Sequence, residues 1–170
     1  MKIGYNIGSG QRPFTSTFEV GWLNVDSQAK WNPDIVADGA RLPVVDGVAD
    51  YVVLHHVLEH FGCGEAKGLI SEAYRVLKPG GSLLVFVPDL AQLARRWLEG
   101  GLSTQVYVTN LYGAYMGDEA DRHKWGFDTN SLMTFLQTVG WSRLDLFDWR
   151  HIPGADIAKD FWIIGAEAVK

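Results

Sequence analysis

An α/β domain built on one mostly parallel, doubly wound sheet of about seven strands, with helices on both faces, is the fold this sequence predicts. Three observations carry the prediction. Short apolar runs alternate with turn residues and helical patterns along most of the chain, the rhythm of a sheet covered by helices. The first five strand candidates come mainly as crossover units, and the last two lie close together at the end. The 170 residues, 47% hydrophobic and 21% charged, suit one domain with its own core, here residues 1–170.

Taken in order, strands are expected at residues 2–8, 22–26, 34–37, 49–55, 82–88, 142–149 and 160–168. Between the fourth and fifth, Ala66, Leu69, Ile70, Ala73 and Leu77 recur at helical spacing over residues 65–77, and Lys78-Pro79-Gly80-Gly81 then stops the helix in a tight turn. Asp89 is a candidate N-cap for a helix over 90–99, where Leu90, Leu93, Ala94, Trp97 and Leu98 form one apolar face. Asp128 is positioned to cap a further helix over 129–139, which Gly140 ends. Residues 100–127 are the least regular, with Tyr107, Tyr112, Tyr115, Met116 and Trp125 among glycines and charges. Such a segment suits a binding role. No internal repeat and no linker mark a second domain.

Charge and cysteine usage narrow the function. A net charge of -5 argues against a surface that neutralises many phosphates, so no nucleic-acid partner is expected. Cys63 is the single cysteine, which excludes an intramolecular disulfide and multi-cysteine zinc sites. The first residues are too short and polar for a signal-peptide core, and no apolar run is long enough to span a bilayer. A soluble, cytoplasmic protein without a membrane partner is the expectation.

The first strand runs into Asn6-Ile7-Gly8-Ser9-Gly10. In an open parallel sheet ligands sit outside the carboxyl ends of the strands, where glycines let them approach the backbone; glycine pairs also make simple turns. Asp26 closes the second strand at the spacing of a ribose-binding acid, since an ionised carboxylate can accept from two hydroxyls. Asp38 follows the third strand in Ala37-Asp38-Gly39-Ala40-Arg41-Leu42-Pro43, where it could accept from an adenine amino group while Leu42 packs on the ring. For both acids a turn or cap role is the alternative. Pro13 occupies the third glycine position of GxGxxG, and about a dozen residues separate Gly10 from the second strand. A full crossover helix barely fits, so the pyrophosphate seat of a dinucleotide is missing. S-adenosylmethionine carries no phosphate and tolerates that loss.

Together Asn6-x-Gly8-Ser9-Gly10, Asn24-x-Asp26, Asp38-x-x-x-Leu42-Pro43, Asp50-x-Val52, His56-Val57-Leu58-Glu59-His60, Tyr74-Arg75-Val76-Leu77-Lys78-Pro79-Gly80-Gly81 and Pro88-Asp89-Leu90 resemble the class I S-adenosylmethionine-dependent methyltransferases, especially small bacterial ones, over roughly residues 3–140. The resemblance implies a Rossmann-like sheet whose last one or two strands run antiparallel. It also implies cofactor binding by Asn6, Gly8, Ser9, Gly10, Asp26, Asp38, Gly39, Leu42 and His55. By the same resemblance the usual N-terminal helix is lacking and the second helix is shortened. The implied reaction is transfer of a methyl group to a small-molecule or glycan acceptor. The alternative that keeps the fold is a non-catalytic cofactor-binding module. A homodimer is compatible with the open cleft.

The fourth strand ends in His55 and His56, which places one or the other beside the sulfonium of the cofactor if the resemblance holds. A neutral histidine there could take a proton from the acceptor, although hydrogen bonding to a helix start by His56, Glu59 and His60 is the equal alternative. The same stretch reads HxxEH, the motif of inverted zinc hydrolases. That motif requires a helix with both histidines on one face, whereas here it follows an apolar strand, so no metal site is assigned. In His123-Lys124-Trp125, the imidazole and indole border the acceptor pocket or close the core, and His123 joins His55 and His56 as a candidate catalytic residue.

Overall fold

The computed structural model describes residues 1–114, 118–147, 152 and 162–170. Their strands are β1 (Lys2–Ile7), β2 (Val20–Asp26), β3 (Ile35–Val36), β4 (Ala49–His55), β5 (Leu77–Pro88), β6 (Arg143–Leu146) and β7 (Ile163–Val169). They form one seven-stranded sheet in the order β3-β2-β1-β4-β5-β7-β6. The neighbours from β3 to β5 are parallel, and β7 runs antiparallel between β5 and β6. The mostly parallel sheet and its reversed strand near the edge are therefore as expected. Residues 148–149 of the expected sixth strand and 160–161 of the seventh lie outside the described residues, as do Tyr115 and Met116 of the irregular segment.

Alternation along the strands builds two cores. In β4, Val52 and Leu54 enter one core while Val53 enters the other; in β5, Leu83, Val85 and Val87 oppose Leu84 and Phe86. A strand buried on both faces needs no polar stripe, which is why these segments read as continuous apolar runs. Helix α1 (Cys63–Val76) covers the first core with Ala66, Leu69, Ile70 and Ala73, whose spacing predicts it, and with Val76, while Leu77, expected as its last residue, opens β5. Helix α4 (Thr129–Leu136) adds Leu132, Phe135 and Leu136. The second core holds Phe14 edge-on to Trp22 at 5.0 Å, with Val20, Phe86 and Ile152. Phe14 comes from the segment between β1 and β2, which forms a loop without a crossover helix, as its length requires.

Both predicted caps are present. Asp89 accepts from the amides of Ala91 and Gln92 at the start of α2 (Leu90–Leu98), and Asp128 accepts from Ser131 in a capping box at α4. Two expectations are corrected. Lys78-Pro79-Gly80-Gly81 is not a turn ahead of the strand but a bulge within β5: pairing jumps from Ala49 with Leu77 to Tyr51 with Ser82, and Gly80 takes φ 79°. The supposedly irregular segment contains a helix, α3 (Thr104–Tyr112), capped by Ser103. It buries none of its residues fully, so it lacks the apolar periodicity that reveals a helix; Tyr107 stacks on Trp97 of α2 at 4.9 Å instead.

Because β2, β1 and β4 are parallel neighbours, their carboxyl ends lie on one edge, and the strand order reverses about β1, the place where an open α/β sheet leaves a crevice. The segments after Ile7, Val25 and Leu54 are thereby brought together.

Candidate cofactor and active site

The chain leaves β1 through two left-handed residues, Gly8 at φ 67° and Gly10 at φ 48°. A Cβ on Gly8 would lie 2.6 Å from the Cγ2 atom of Val57, so the glycine is needed for space as well as for conformation. A Cβ on Gly10 would meet no heavy atom closer than 4.0 Å. Here the glycine leaves the backbone approachable.

Asp26 ties this loop to β2. Its Oδ2 accepts from the Gly10 amide at 2.9 Å and its Oδ1 from the Gln28 amide at 2.8 Å. Each carboxylate oxygen has two lone-pair sites, so each retains one for a ribose hydroxyl. Asp26 is only 8% exposed, at the carboxyl end of β2. Asp38 is exposed and its Oδ1 accepts from the Ala40 amide at 2.9 Å, the turn geometry anticipated as the alternative, with the remaining oxygen open. The donor set fits a nucleoside without phosphate: an approachable glycine backbone, a largely buried carboxylate with acceptor capacity and a second, exposed carboxylate one strand away.

Other residues expected at the cofactor are buried in this structure. Asn6 is 2% exposed, and its amide donates to the Asn24 Oδ1 at 3.0 Å and to the Arg12 carbonyl at 3.3 Å. Asn24 also accepts from the Phe14 amide at 2.7 Å. The Asn6–Asn24 pair therefore fastens the helix-free loop. Ser9 is buried and its amide donates to the Val25 carbonyl at 3.0 Å. Gly39 is a packing residue, since a Cβ there would come within 2.6 Å of Ile7 Cγ2. Leu42 is buried in the core and its amide donates to Glu72.

The two histidines after β4 have different environments. His55 leans edge-on against His56 at 4.7 Å and Phe86 at 6.0 Å, and its Nε2 is buried without a hydrogen-bond partner. Burial, together with the nearby His56 and Arg12 charges, pushes its pKa down to about 3. His55 is therefore neutral at any physiological pH, with its base strength well below that of an ordinary imidazole. His56 adopts a left-handed backbone at φ 55°, uncommon for a residue other than glycine, as the chain turns sharply out of the strand. Its Nδ1 lies 2.9 Å from Oε1 of Glu59. Protonated at Nδ1, the imidazole donates to the carboxylate and keeps its Nε2 lone pair free.

Glu59 is only 1% exposed, and its Oε2 has no partner. Burial alone would raise its pKa, but the His56 hydrogen bond and the surrounding His56, His60 and His123 hold it below the usual value, so it is ionised. The Glu59 carbonyl accepts from the amides of Lys124 and Trp125 at 2.8 and 3.1 Å, which draws the 123–125 segment onto it. His123 arrives beside His60, their rings 4.8 Å apart. Trp125 packs on Phe127 and Phe135 at 5.0 and 5.1 Å and so closes the core. The zinc-hydrolase reading fails on geometry: His56 is in the left-handed turn and Leu58–His60 form a single 3₁₀ turn, so no helix presents both histidines on one face.

Val57 against Gly8 and the Asn110 carbonyl, which lies 2.9 Å from His123 Nδ1, were not foreseen as parts of the site. A valine and a main-chain carbonyl give no signal in a sequence. At the opposite, amino ends of the strands a shallow depression includes Lys2, Asp50 and Lys78, but Lys78 pairs with Asp50 at 2.7 Å and Lys2 donates to Tyr51. It has the character of a solvated ion-pair surface.

A glycine loop, a carboxylate after the second strand and this strand order define a nucleoside-binding α/β fold of the methyltransferase type. The chain belongs to the class I S-adenosylmethionine-dependent methyltransferases. Residues 17–85 match the family model described as a methyltransferase domain. Over 162 aligned residues the chain is 30% identical to the demethylmenaquinone methyltransferase of Mycolicibacterium vanbaalenii, an alignment covering 89% of this chain and 66% of that protein's length. Among solved structures, an S-adenosylmethionine-dependent methyltransferase of Thermotoga maritima, described as a possible histamine N-methyltransferase, superposes with a TM-score of 0.63 at 16% identity, covering 100% of this chain and 83% of that one. The 1,6-didemethyltoxoflavin-N1-methyltransferase of Burkholderia thailandensis, solved with bound 1,6-didemethyltoxoflavin and S-adenosylhomocysteine, superposes with a TM-score of 0.59 at 12% identity, covering 99% of this chain and 71% of that one. At these identities the superpositions speak for the fold.

Proposed function

We propose that this chain transfers the methyl group of S-adenosylmethionine to a small-molecule acceptor. The observation that carries the reading is the adjacency, on one sheet edge, of the Gly8–Gly10 loop with Asp26 and the His56–Glu59 pair. In this reading Gly8, Gly10 and Asp26 hold the cofactor, which supplies an electrophilic methyl group on sulfur. His56 takes the acceptor proton at Nε2, and Glu59 fixes the tautomer and stabilises the imidazolium that forms, the division of labour of a base and its orienting carboxylate. Much of the rate would come from holding the acceptor in line with the methyl group. The name of the mycolicibacterial relative favours a quinone-type acceptor as the first class to test.

Calorimetric titration with S-adenosylmethionine and S-adenosylhomocysteine, followed by methyl transfer from labelled cofactor to quinols and phenols, tests the proposal. Micromolar binding, about -8 kcal/mol, with label in the acceptor is the expected result. Folded protein that binds neither compound would overturn it. Tight binding without turnover on any acceptor class would identify a cofactor-binding module instead.

A further inference from the structure

Glu59, His60 and His123 each contribute one potential ligand atom, and the three atoms lie within 4.8 Å of one another. The ring contacts fix which nitrogens are free. His123 Nδ1 lies 2.9 Å from the Asn110 carbonyl and His60 Nδ1 lies 3.3 Å from the Arg122 carbonyl. A histidine whose Nδ1–H donates to a backbone carbonyl presents an Nε2 lone pair, the arrangement that orients metal-binding imidazoles. On the third side, Glu59 Oε1 is occupied by His56, while Oε2 is buried and unpartnered. A buried carboxylate oxygen without a donor is costly, and such groups are normally satisfied by a partner or a cation.

We propose that Glu59, His60 and His123 form a site for a divalent transition-metal ion such as zinc. Two imidazoles and one carboxylate select a borderline cation over magnesium or calcium, which prefer all-oxygen sets. Bonds of about 2.0–2.2 Å place tetrahedral ligands about 3.4 Å apart, so the side chains must close by about an ångström or slightly more. The rings of His60 and His123 stand on a 3₁₀ turn and a loop, where small side-chain rotations suffice. Three protein ligands leave a fourth position for water or for a heteroatom of a bound small molecule. His56 holds Glu59 from behind and is not a ligand. This distinguishes the site from the HxxEH pattern, which would use His56 and His60.

The inference does not depend on methyl transfer, and its test needs no cofactor. Metal-stripped protein is titrated with zinc by calorimetry and with cobalt(II) by visible absorption, and bound metal is counted after desalting. One equivalent, a tetrahedral cobalt spectrum and a raised melting temperature are expected. His60→Gln and His123→Gln should each weaken binding at least tenfold, whereas His56→Asn should retain one equivalent of metal. Circular dichroism establishes that each variant is folded, and the two histidine variants keep the test decisive if Glu59→Gln does not fold. Wild-type protein that takes up neither metal would overturn the proposal, as would loss of binding on His56→Asn with retention in His123→Gln.

Discussion

His56 Nδ1 stands 2.9 Å from Glu59 Oε1, with the histidine a quarter exposed at its side chain and the glutamate essentially sealed at 1%. The pair joins the crevice to the interior: the imidazole reaches solvent and the carboxylate does not. His56→Asn should separate backbone from chemistry, because asparagine tolerates the left-handed conformation but supplies no base. Turnover should fall by about 10²–10⁴-fold, while calorimetric affinity for S-adenosylmethionine stays as in the parent protein. A parallel loss of affinity would show that His56 serves binding and not proton transfer.

Asp26→Ala should weaken cofactor binding. The substitution removes the acceptor of the Gly10 and Gln28 amides as well as the expected ribose contact. Hydrogen bonds to a charged group contribute about 1.5–3 kcal/mol each, so affinity should drop about tenfold to a hundredfold, with a lower melting temperature. Unchanged affinity in titration calorimetry would count against the assigned binding site.

Gly8→Ala should destabilise the fold for two separable reasons. A left-handed backbone costs a residue with a Cβ about 1–2 kcal/mol, and the new methyl would sit 2.6 Å from Val57 Cγ2. Combining it with Val57→Ala should recover the steric part and leave the conformational part. In a double-mutant cycle by urea denaturation, a favourable coupling of at least about 0.5 kcal/mol is expected. Strict additivity would mean that the two residues do not press on each other.

Acid should destabilise the protein through His55. Its folded pKa is about 3, against an ordinary value of 6.5, so between those limits the unfolded chain binds a proton that the folded chain does not. Stability contributed by the neutral imidazole is complete above pH 6.5 and falls as pH drops toward 3, with a slope approaching about 1.4 kcal/mol per pH unit. His55→Phe should flatten that acid limb in urea denaturation measured across pH. An unaltered slope would assign the acid sensitivity to other groups.

Legibility in the sequence followed physical locality. Asp89 and Asp128 could be read as caps because a cap acts on amides two or three residues away. Helix α1 could be read because its apolar residues repeat every three or four positions against one neighbour. Helix α3 escaped because it fully buries none of its residues, and its stacking partner Trp97 belongs to another helix. The Lys78-Pro79-Gly80-Gly81 bulge reads as a turn until Ala49 is known to pair with Leu77.

By itself the sequence determined the parallel α/β class, the glycine loop, the acid after β2 and the absence of room for a crossover helix before Phe14. Each depends on periodicity or on spacing along the chain. Only the tertiary structure decided which of the clustered residues are exposed and which are buried. Asn6 and Leu42 turned inward, His55 became a buried neutral ring, and His56 found Glu59 through a left-handed turn. His123 reached His60 across more than sixty positions of chain, because the Glu59 carbonyl binds the amides of Lys124 and Trp125. The orientation of a side chain and the partner it meets depend on contacts between distant segments, and those exist only once the sheet has brought the carboxyl ends of its strands together.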